Sequence, residues 1–579
     1  MVSEIEKKVF ACIDNLESFI IEAGAGSGKT WTLVQAILYV IQQKGTSFKK
    51  KNQKIGCITY TNVAKEEIIS RTKANDLVEV KTIHDFLWEI VKPFQKELKQ
   101  ELVLLIEEKL DNEVIKINAV KNKTTKTYQR LDLSINRLRE DLENLKEFKG
   151  GIKYKEFSSR RRGIISHDDV IILSNKIIRK SLVVQKIIQD TYPVIFIDEY
   201  QDTNQTTAYT LLDHLQVKTQ IIFGYFGDYH QKIYEGSIGK INAEQYNLKV
   251  IQKTQNYRCS KQVIKLLNSL RSDIIQNETE NSKEGICNFY YVNDQDLNTE
   301  HFIEEIIKKD FNISTSEGVK ELYLVTKSIA NKNGYANLHN LYDDKEKPEG
   351  RRKKRKEQIL KNKDNRDCLF ANFLYDIEEV NELFQQNKIQ MLLKKTPYKL
   401  ESILDKRNLF NDLTSLKDIC ATGTIREAID FAHNHKLLIM NDKLKWYFQN
   451  DDLQDSFFQS LMNLNYVEFS NMYYTVKETS PFSTNHGTKG AEYDNVVCFI
   501  NDADWRNYNL NNFFDGTDIH NNKERRYERT KNLFYVICSR ARFNLAIVVL
   551  SELSEDALVK AQALFSEDAF INMESTVYN

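Results

Sequence analysis

Proline and glycine are scarce in this chain, which has only 5 prolines and 20 glycines in 579 residues. Because these residues interrupt regular elements most strongly, their scarcity favours a helix-rich protein. The eight cysteines are scattered with no C-x-x-C pair, which argues against a disulfide framework or a zinc site. No apolar run approaches the roughly 20 residues of a membrane span, and the first residues lack the apolar core of a signal peptide. We therefore expect a cytoplasmic protein with no membrane partner.

Net charge is also absent, since lysine plus arginine and aspartate plus glutamate both number 82. Overall charge therefore gives no attraction to nucleic acid, and any DNA-binding surface must come from local segregation of charge. One strongly basic stretch lies between Lys345 and Arg366. It is typical either of a solvated loop or of a patch that contacts phosphates. The length predicts about three to five domains.

The most specific pattern follows an apolar run that begins at Phe19. It is a phosphate-binding loop of the form G-x-x-x-x-G-K-T, made by Ala23, Gly24, Ala25, Gly26, Ser27, Gly28, Lys29 and Thr30. The glycines allow backbone N–H groups to turn toward the phosphate oxygens of a nucleotide, Lys29 reaches the β- and γ-phosphates, and the Thr30 hydroxyl helps to hold Mg²⁺. A buried strand before the loop and a helix over 31–41 after it complete the expected context. The sequence therefore predicts binding of a nucleoside triphosphate with Mg²⁺.

Two further apolar strands end in polar side chains suited to hydrolysis. Strand 193–197 leads into Asp198 and Glu199, and strand 220–226 is followed by Gln231. Ligands bind at the carboxyl ends of the strands in a parallel α/β sheet. Asp198 is expected to hold Mg²⁺, Glu199 to act as general base on the attacking water, and Gln231 to contact the γ-phosphate or that water.

Two arginines extend this set. Arg258 stands in Asn-Tyr-Arg, and Arg540 stands in the run Tyr-Val-Ile-Cys-Ser-Arg-Ala-Arg. An arginine that reaches the γ-phosphate from a second domain would couple hydrolysis to closure of the cleft. Taken alone, each is also typical of a surface salt bridge.

In this order the motifs resemble those of superfamily 1 helicases of the UvrD/Rep/PcrA type. The resemblance is carried by the phosphate loop, 60–64 with Arg71, 82–86, 167–170, 198–202, 227–234, 256–258, 486–492 and 535–542. It implies an α/β fold with two RecA-like motor domains, whose parallel sheets are flanked by helices, each with an inserted, mainly helical accessory domain. The implied boundaries are 1–92 and 164–255 for motor domain 1A, 93–163 for insertion 1B, 256–342 and 481–579 for motor domain 2A, and 343–480 for insertion 2B.

The resemblance also implies an activity, namely ATP-driven movement in the 3′ to 5′ direction along single-stranded DNA or a tailed duplex. In this comparison Gln231, Arg258 and Arg540 sense the γ-phosphate, and Glu492 faces the nucleotide sugar. The positions that fall on DNA-contacting motifs are Thr61, Asn62, Thr82, His84, Phe86 and His486.

The chain departs from the family in three ways. The family's adenine-reading glutamine is absent from the segment 4–8, where only Glu, Ile and Lys occur, so adenine selectivity is in doubt. After Tyr234 the base-stacking aromatic is replaced by Glu235, which removes a contact of about 1–3 kcal/mol. The second insertion is short, which resembles the helicase subunits of Gabija-type anti-phage systems. In those systems a separate nuclease cleaves DNA, and this sequence shows no nuclease carboxylate–lysine pattern of its own.

Three functional readings therefore stay open. The first is a DNA-dependent ATPase and translocase of helicase type, within a defence complex or acting alone in repair. The second is a regulatory subunit that senses nucleotide or DNA ends and activates a partner nuclease with little unwinding. The third, an RNA helicase, fits the Asp-Glu-Tyr-Gln-Asp motif at 198–202 less well, because that form resembles the DNA enzymes.

Overall fold

The computed structural model describes residues 2–60, 62–155, 158–314, 318–323, 326–343, 369–449, 456–477, 482–484, 491–504 and 507–573. The chain divides into two compact units. Unit 1 comprises Met1–Cys287, Tyr508–Leu545 and Ser554–Ala569, and unit 2 comprises Asn288–Asn507, Ala546–Leu553 and Phe570–Asn579.

Unit 1 is built on a six-stranded sheet in the order β3-β2-β6-β7-β1-β8, with parallel pairing throughout. Its strands are β1 (Phe19–Ala23), β2 (Ile55–Thr59), β3 (Val78–Thr82), β6 (Val194–Asp198), β7 (Ile222–Gly227) and β8 (Lys249–Lys253). A separate pair is formed by β4 (Lys153–Tyr154) and β5 (Ile164–Ile165). Since all six strands of the large sheet run the same way, their carboxyl ends meet at one edge, where β1, β6 and β7 deliver the predicted site motifs.

The sheet of unit 1 is covered on both faces, as the apolar strand sequences require. Phe19 and Ile21 pack in one buried cluster with the helices that flank the phosphate loop, whereas Ile20 packs in a second cluster on the opposite face. Strand β6 divides in the same way, because Phe196 belongs to the first cluster and Ile197 to the second. Successive side chains of each strand therefore pack on opposite faces of the sheet. This packing holds in place the strand ends that carry the site motifs.

Helices flank this sheet and the insertion in it. They are α1 (Glu4–Asp14), α2 (Lys29–Lys51), α3 (Asn62–Arg71), α4 (Ile83–Val91), α5 (Gln95–Asn118), α6 (Lys126–Glu147), α7 (His167–Lys180), α8 (Leu182–Thr191), α9 (Gln205–Tyr209) and α10 (Lys261–Ser269), followed later in unit 1 by Leu510–Asp515, Thr517–His520, Glu524–Cys538 and Glu555–Phe565. The apolar spacing at 135, 138 and 145 lies on α6 and is buried, as a core stripe requires.

Helix α2 is longer than the 31–41 helix that the sequence predicts. It continues to Lys51 and ends at Asn52, which adopts a left-handed conformation with φ 53°. Gly45 lies within this helix and does not interrupt it. A Cβ at this position would lie 3.2 Å from Leu77, so close packing favours glycine there.

Unit 2 contains a second six-stranded sheet in the order β11-β10-β12-β13-β9-β14. Its strands are β9 (Cys287–Tyr291), β10 (Lys320–Tyr323), β11 (Phe482–Thr484), β12 (Tyr493–Ile500), β13 (Ala541–Val549) and β14 (Phe570–Asn572). Its helices are Thr299–Phe302, Lys308–Asp310, Thr326–Lys332, Ala336–Asp343, Leu369–Gln385, Ile389–Lys395, Ile403–Thr422, Ile425–Asn434, Asp442–Gln449, Ser456–Met462 and Tyr466–Val476. The pairs β10–β11, β10–β12 and β9–β14 are parallel.

The α/β fold class with parallel sheets flanked by helices is confirmed. The boundaries of the two motor domains and their insertions stay predictions. Seven of the eight cysteines fall in the described ranges, and all seven are buried thiols. Within those ranges no helix is long and apolar enough to cross a membrane. The basic stretch at 345–366 lies outside the described residues.

Candidate active site

The phosphate loop joins β1 to α2 and owes its shape to two glycines. Gly26 and Gly28 adopt left-handed conformations with φ 74° and 77°, which side chains other than glycine rarely adopt. Gly28 caps α2, so the helix begins at Lys29 with its backbone N–H groups directed at the loop. A helix N-terminus of this kind favours an anion such as a phosphate.

Two polar groups of the loop fit a phosphate ligand. The Ser27 hydroxyl is buried and makes no hydrogen bond to any residue in the described part of the chain. Lys29 is 9% exposed, and among the described residues its ammonium donates only a long bond of 3.5 Å to Ala23 O. A buried hydroxyl and a weakly bonded ammonium at the start of α2 are the groups that a β- or γ-phosphate would use.

A segment after β8 lies directly on the loop, and the sequence analysis missed one of its residues. Asn256 and Gln276 both donate their side-chain amides to Ala25 O, at 3.0 and 2.8 Å. Tyr257 donates its backbone N–H to Gly26 O at 2.9 Å. These contacts explain why Gly24 and Gly26 carry no side chain, since a Cβ there would collide with Gln276 and Asn256 respectively. Gln276 stands in no recognisable motif, so no sequence signal points to it.

The acidic pair stands at the end of β6, where Asp198 is the last strand residue and interacts electrostatically with Lys29. Burial raises the pKa of the Asp198 carboxyl, repulsion from Glu199 raises it further, and Lys29 opposes both. Glu199 adopts a left-handed conformation with φ 50° and accepts a hydrogen bond from Gln201. A buried carboxyl that is costly to ionise, next to a second one, fits a site for a divalent cation, because Mg²⁺ takes hard carboxylate oxygens. Asp198 and Thr30 would hold that ion.

Gln231 and Arg540 contact each other within unit 1. Arg540 is 1% exposed and donates from Nη2 to Gln231 Oε1 at 3.3 Å. Its guanidinium also donates to Val536 O and Ser539 Oγ, at 3.0 and 2.8 Å. Burial and repulsion from Arg258 lower the pKa of Arg540 to about 10, whereas Glu199 raises it. The structure therefore brings together the predicted base, the amide and both arginines.

Arg258 is held against the phosphate loop by its backbone. Its N–H donates to Asn256 Oδ1 at 2.9 Å, and its Cβ would be 2.7 Å from a Cβ at Gly26. Two arginines thus flank the loop from the part of the chain that follows β8. Their mutual repulsion would be relieved by a polyanion.

Charged and aromatic side chains lie near the start of α1 and α2. Glu6, in the first turn of α1, accepts from Trp31 Nε1 at 3.1 Å and from the Ser3 N–H at 2.8 Å. Lys253 donates to Gly28 O at 3.1 Å and to Thr32 Oγ1 at 2.7 Å. Burial and nearby Lys29 lower its pKa to about 8, although Glu6 opposes this change. Glu6 lies in the segment 4–8, where the sequence shows no glutamine, and it contacts Trp31 near the start of α2.

The rings of Trp31 and Tyr257 are 53% and 60% exposed. Both belong to segments that contact the phosphate loop. They offer aromatic surface on which a nucleobase could stack.

The residues predicted to contact DNA have different surroundings. Thr82 caps α4 by accepting from the Asp85 N–H at 3.3 Å. His84 lies 4.9 Å from His167 between ring centroids, and burial followed by repulsion from His167 lowers its pKa. Phe86 is 1% exposed and packs on Tyr192 at 5.4 Å, so this side chain supports α4 from inside the core.

Other predicted residues cannot be placed at a site. Thr61 and His486 lie outside the described residues, and Asn62 is described only as the first residue of α3. Glu492 is exposed directly before β12 in unit 2. Its role at the nucleotide sugar stays a prediction.

An aromatic pair not identified from the sequence lies after β2. Tyr60 is 40% exposed, and its ring centroid is 5.0 Å from that of Tyr234 at an interplanar angle of 31°. Glu235, which stands where the family has an aromatic residue, forms an ion pair with Arg529 at 2.5 Å.

The fold and the site are similar to those of UvrD/Rep-type helicases, a class of enzymes that hydrolyse ATP. Residues 3–243 match the family model described as the UvrD/REP helicase N-terminal domain.

Among individual proteins, the chain is 28% identical to Gabija protein GajB of Bacillus cereus (strain HuB5-5), over 94% of this chain and 95% of that protein. It is 30% identical to the ATP-dependent DNA helicase Rep of Buchnera aphidicola subsp. Schizaphis graminum, over 44% of this chain and 42% of Rep. It is 25% identical to the ATP-dependent DNA helicase PcrA of Staphylococcus aureus (strain Mu50 / ATCC 700699), over 52% of this chain and 45% of PcrA. The match thus spans nearly the whole of GajB and less than half of Rep or PcrA.

Proposed function

We propose that this protein is an ATP-driven translocase of helicase type that moves 3′ to 5′ on single-stranded DNA. The observation that carries the proposal is the contact between Arg540 and Gln231 beside the phosphate loop. A γ-phosphate bound there would meet a cation and an amide that already touch, so hydrolysis would change the position of both. That coupling of phosphate chemistry to protein geometry is what a motor requires.

The roles of the other residues follow from their positions. Lys29 and the loop N–H groups bind the β- and γ-phosphates, and Thr30 with Asp198 holds Mg²⁺. Glu199, next to Asp198 and within electrostatic reach of Arg540, activates the attacking water. When bound, Mg²⁺ would neutralise part of the phosphate charge.

The DNA track lies at the carboxyl ends of β2 and β3. Thr61, Asn62, Thr82 and His84 follow these strands, and the exposed ring of Tyr60 supplies a surface on which a base can stack. Phe86 is buried on α4 and contributes by holding this helix in position. The similarity to GajB over nearly the full chain supports a defence role beside a separate nuclease subunit, with repair by the protein alone as the lesser alternative.

The test is ATP hydrolysis with and without single-stranded DNA, in wild type and in two variants with matched controls. Lys29→Ala should lose nucleotide binding, and Glu199→Gln should bind ATP yet lose stimulated turnover. Lys249→Ala and Glu244→Gln remove an exposed lysine and an exposed glutamate from the same unit and should behave as wild type. Stimulated turnover that persists in Glu199→Gln would refute its assignment as base.

A second candidate function is favoured by the ion pair between Glu235 and Arg529. This pair occupies the position where a base-stacking aromatic is expected, so the grip on DNA is weakened. The protein would then be a nucleotide- or DNA-end-sensing subunit that activates a partner nuclease with little unwinding. Strand separation of a tailed duplex distinguishes the two functions, because a sensor hydrolyses ATP without separating strands.

A further inference from the structure

Arg271 is a buried arginine outside every motif that the sequence analysis singled out. It lies two residues after α10, and its side chain is 1% exposed. The guanidinium holds Asp273 with two bonds of 3.0 and 2.7 Å and directs Nη1 at both oxygens of Asp228, at 3.2 and 3.3 Å. Such a fork joins two carboxylates in one geometry, which a lysine cannot reproduce.

Asp228 passes this constraint to Gln231. Its side chain is fully buried, and Oδ2 accepts from Gln231 Nε2 at 2.9 Å. A carboxylate only accepts hydrogen bonds, so it draws the NH₂ end of the amide and leaves Gln231 Oε1 toward Arg540. The orientation of the amide therefore depends on where Asp228 is held.

The same guanidinium reaches the phosphate loop through one hydroxyl. Arg271 Nη1 donates to the Tyr535 hydroxyl at 3.0 Å, and that hydroxyl also accepts from the Ala25 N–H at 3.3 Å. Its own proton is donated to Asp228 Oδ2 at 3.3 Å. A phosphate oxygen in the loop would compete with Tyr535 for the Ala25 N–H. Occupancy of the loop is thus transmitted to the pair formed by Arg271 and Asp228.

We propose that Arg271 is a positioning residue that sets the Asp228 carboxylate and, through it, the Gln231 amide that faces Arg540. This role rests on the proposed ATP hydrolysis. Arg271 touches neither the nucleotide nor the water, and it links the state of the loop to the γ-phosphate sensors. Its loss should slow the chemical step more than it weakens nucleotide binding.

The experiment compares Arg271→Met with Arg526→Met. Arg526 also forks onto a fully buried carboxylate, Asp518, and takes no part in the site. Turnover and ATP affinity are measured separately, the latter from the ATP-dependent change in fluorescence that is lost in a Trp31→Phe background. R271M should lose about 10- to 100-fold in kcat while affinity changes less than about threefold, and R526M should keep both. R271K should recover part of kcat, since an ammonium can hold one of the two carboxylates.

A double variant distinguishes a loss of positioning from a loss of folding. R271M/D228N removes the buried charge that R271M leaves without its arginine, so thermal stability should return toward wild type. The kcat should stay low, because the asparagine amide no longer selects one orientation of Gln231. Recovery of kcat in the double variant, or equal turnover in R271M and R526M, would overturn the role of Arg271. A wild-type protein that binds ATP without hydrolysing it would instead overturn the proposed function and this role with it.

Discussion

Replacement of Lys253 by methionine separates the stability of the site from its ability to bind nucleotide. The Lys253 ammonium donates to Gly28 O and Thr32 Oγ1 beneath the phosphate loop. Burial and repulsion from Lys29 lower its pKa from 10.5 to about 8, against the attraction of Glu6. The folded protein therefore holds this charge at a loss of free energy.

The size of that loss follows from the pKa change. A change from 10.5 to about 8 corresponds to about 3 kcal/mol at neutral pH, since each unit is about 1.4 kcal/mol. Methionine has a similar length and no charge, so Lys253→Met removes this destabilisation. It also removes two hydrogen bonds with a net contribution of about 1 kcal/mol each. The variant should be more stable than wild type by about 1 kcal/mol and bind nucleotide about tenfold more weakly, because a cation beside the phosphates is lost.

The sign of the pH dependence provides a further check. Between the folded and unfolded pKa values the unfolded chain binds more protons, so the wild type gains stability as pH rises from about 8 toward 10.5. The advantage of Lys253→Met should therefore shrink over that range. Urea unfolding at a series of pH values measures this advantage, and the ATP-dependent change in tryptophan fluorescence measures affinity.

Lys249→Met on the same strand is the control, because Lys249 is an exposed partner of Glu17. This variant should match wild type in both stability and affinity. A Lys253→Met protein that is less stable than wild type at neutral pH, or an advantage that does not change with pH, would refute the reasoning.

Three further predictions concern recognition of the adenine base, binding of single-stranded DNA and packing of the hydrophobic core. Glu6→Gln introduces an amide that can both donate to and accept from adenine, so discrimination of ATP over GTP in kcat/KM should rise by about 1–3 kcal/mol, with exposed Glu4→Gln unchanged as control. Tyr60→Ala should weaken single-stranded DNA binding by about 1–3 kcal/mol in a fluorescence anisotropy titration, and an unaltered affinity relative to Tyr209→Ala would exclude stacking by this ring. Phe86→Leu should lower the free energy of unfolding by about 1 kcal/mol and leave DNA affinity intact; reduced affinity at unchanged stability would contradict its place in the core.

The phosphate loop and the strand-end acids could be predicted from the sequence because they obey local rules. Gly28-Lys29 and Asp198-Glu199 each follow an apolar strand, and parallel strands bring their carboxyl ends to one edge whatever lies between them in the chain. The α/β class was expected from the resemblance to the helicase family, and the two parallel sheets confirm it. Helix α2 was underestimated, since it continues past 41 to Lys51 and includes Gly45, where close packing on Leu77 favours glycine.

The parts that could not be predicted depend on contacts distant in sequence. Arg271 and Gln276 belong to no motif, and they matter because of Asp228 and Ala25, which lie 43 and 251 positions away. Phe86 shows another limit, since its motif predicts a DNA contact while its side chain on α4 is buried in the core. Spacing within one element indicates a motif, but only the packed fold shows which side of the element each residue faces.

Several groups at the site are unfavourable on their own, and the same ligand would relieve all of them. Asp198 is a buried acid with a raised pKa, and Lys253 and Arg540 are buried bases with lowered pKa values. A divalent cation would favour ionised Asp198, and a triphosphate would favour the charged forms of Lys253 and Arg540. Binding of Mg²⁺ with ATP should therefore stabilise the protein more than binding of either component alone, because each component removes a penalty that the other leaves in place. A thermal midpoint with metal and nucleotide together that is no higher than the midpoint with either one alone would contradict this account.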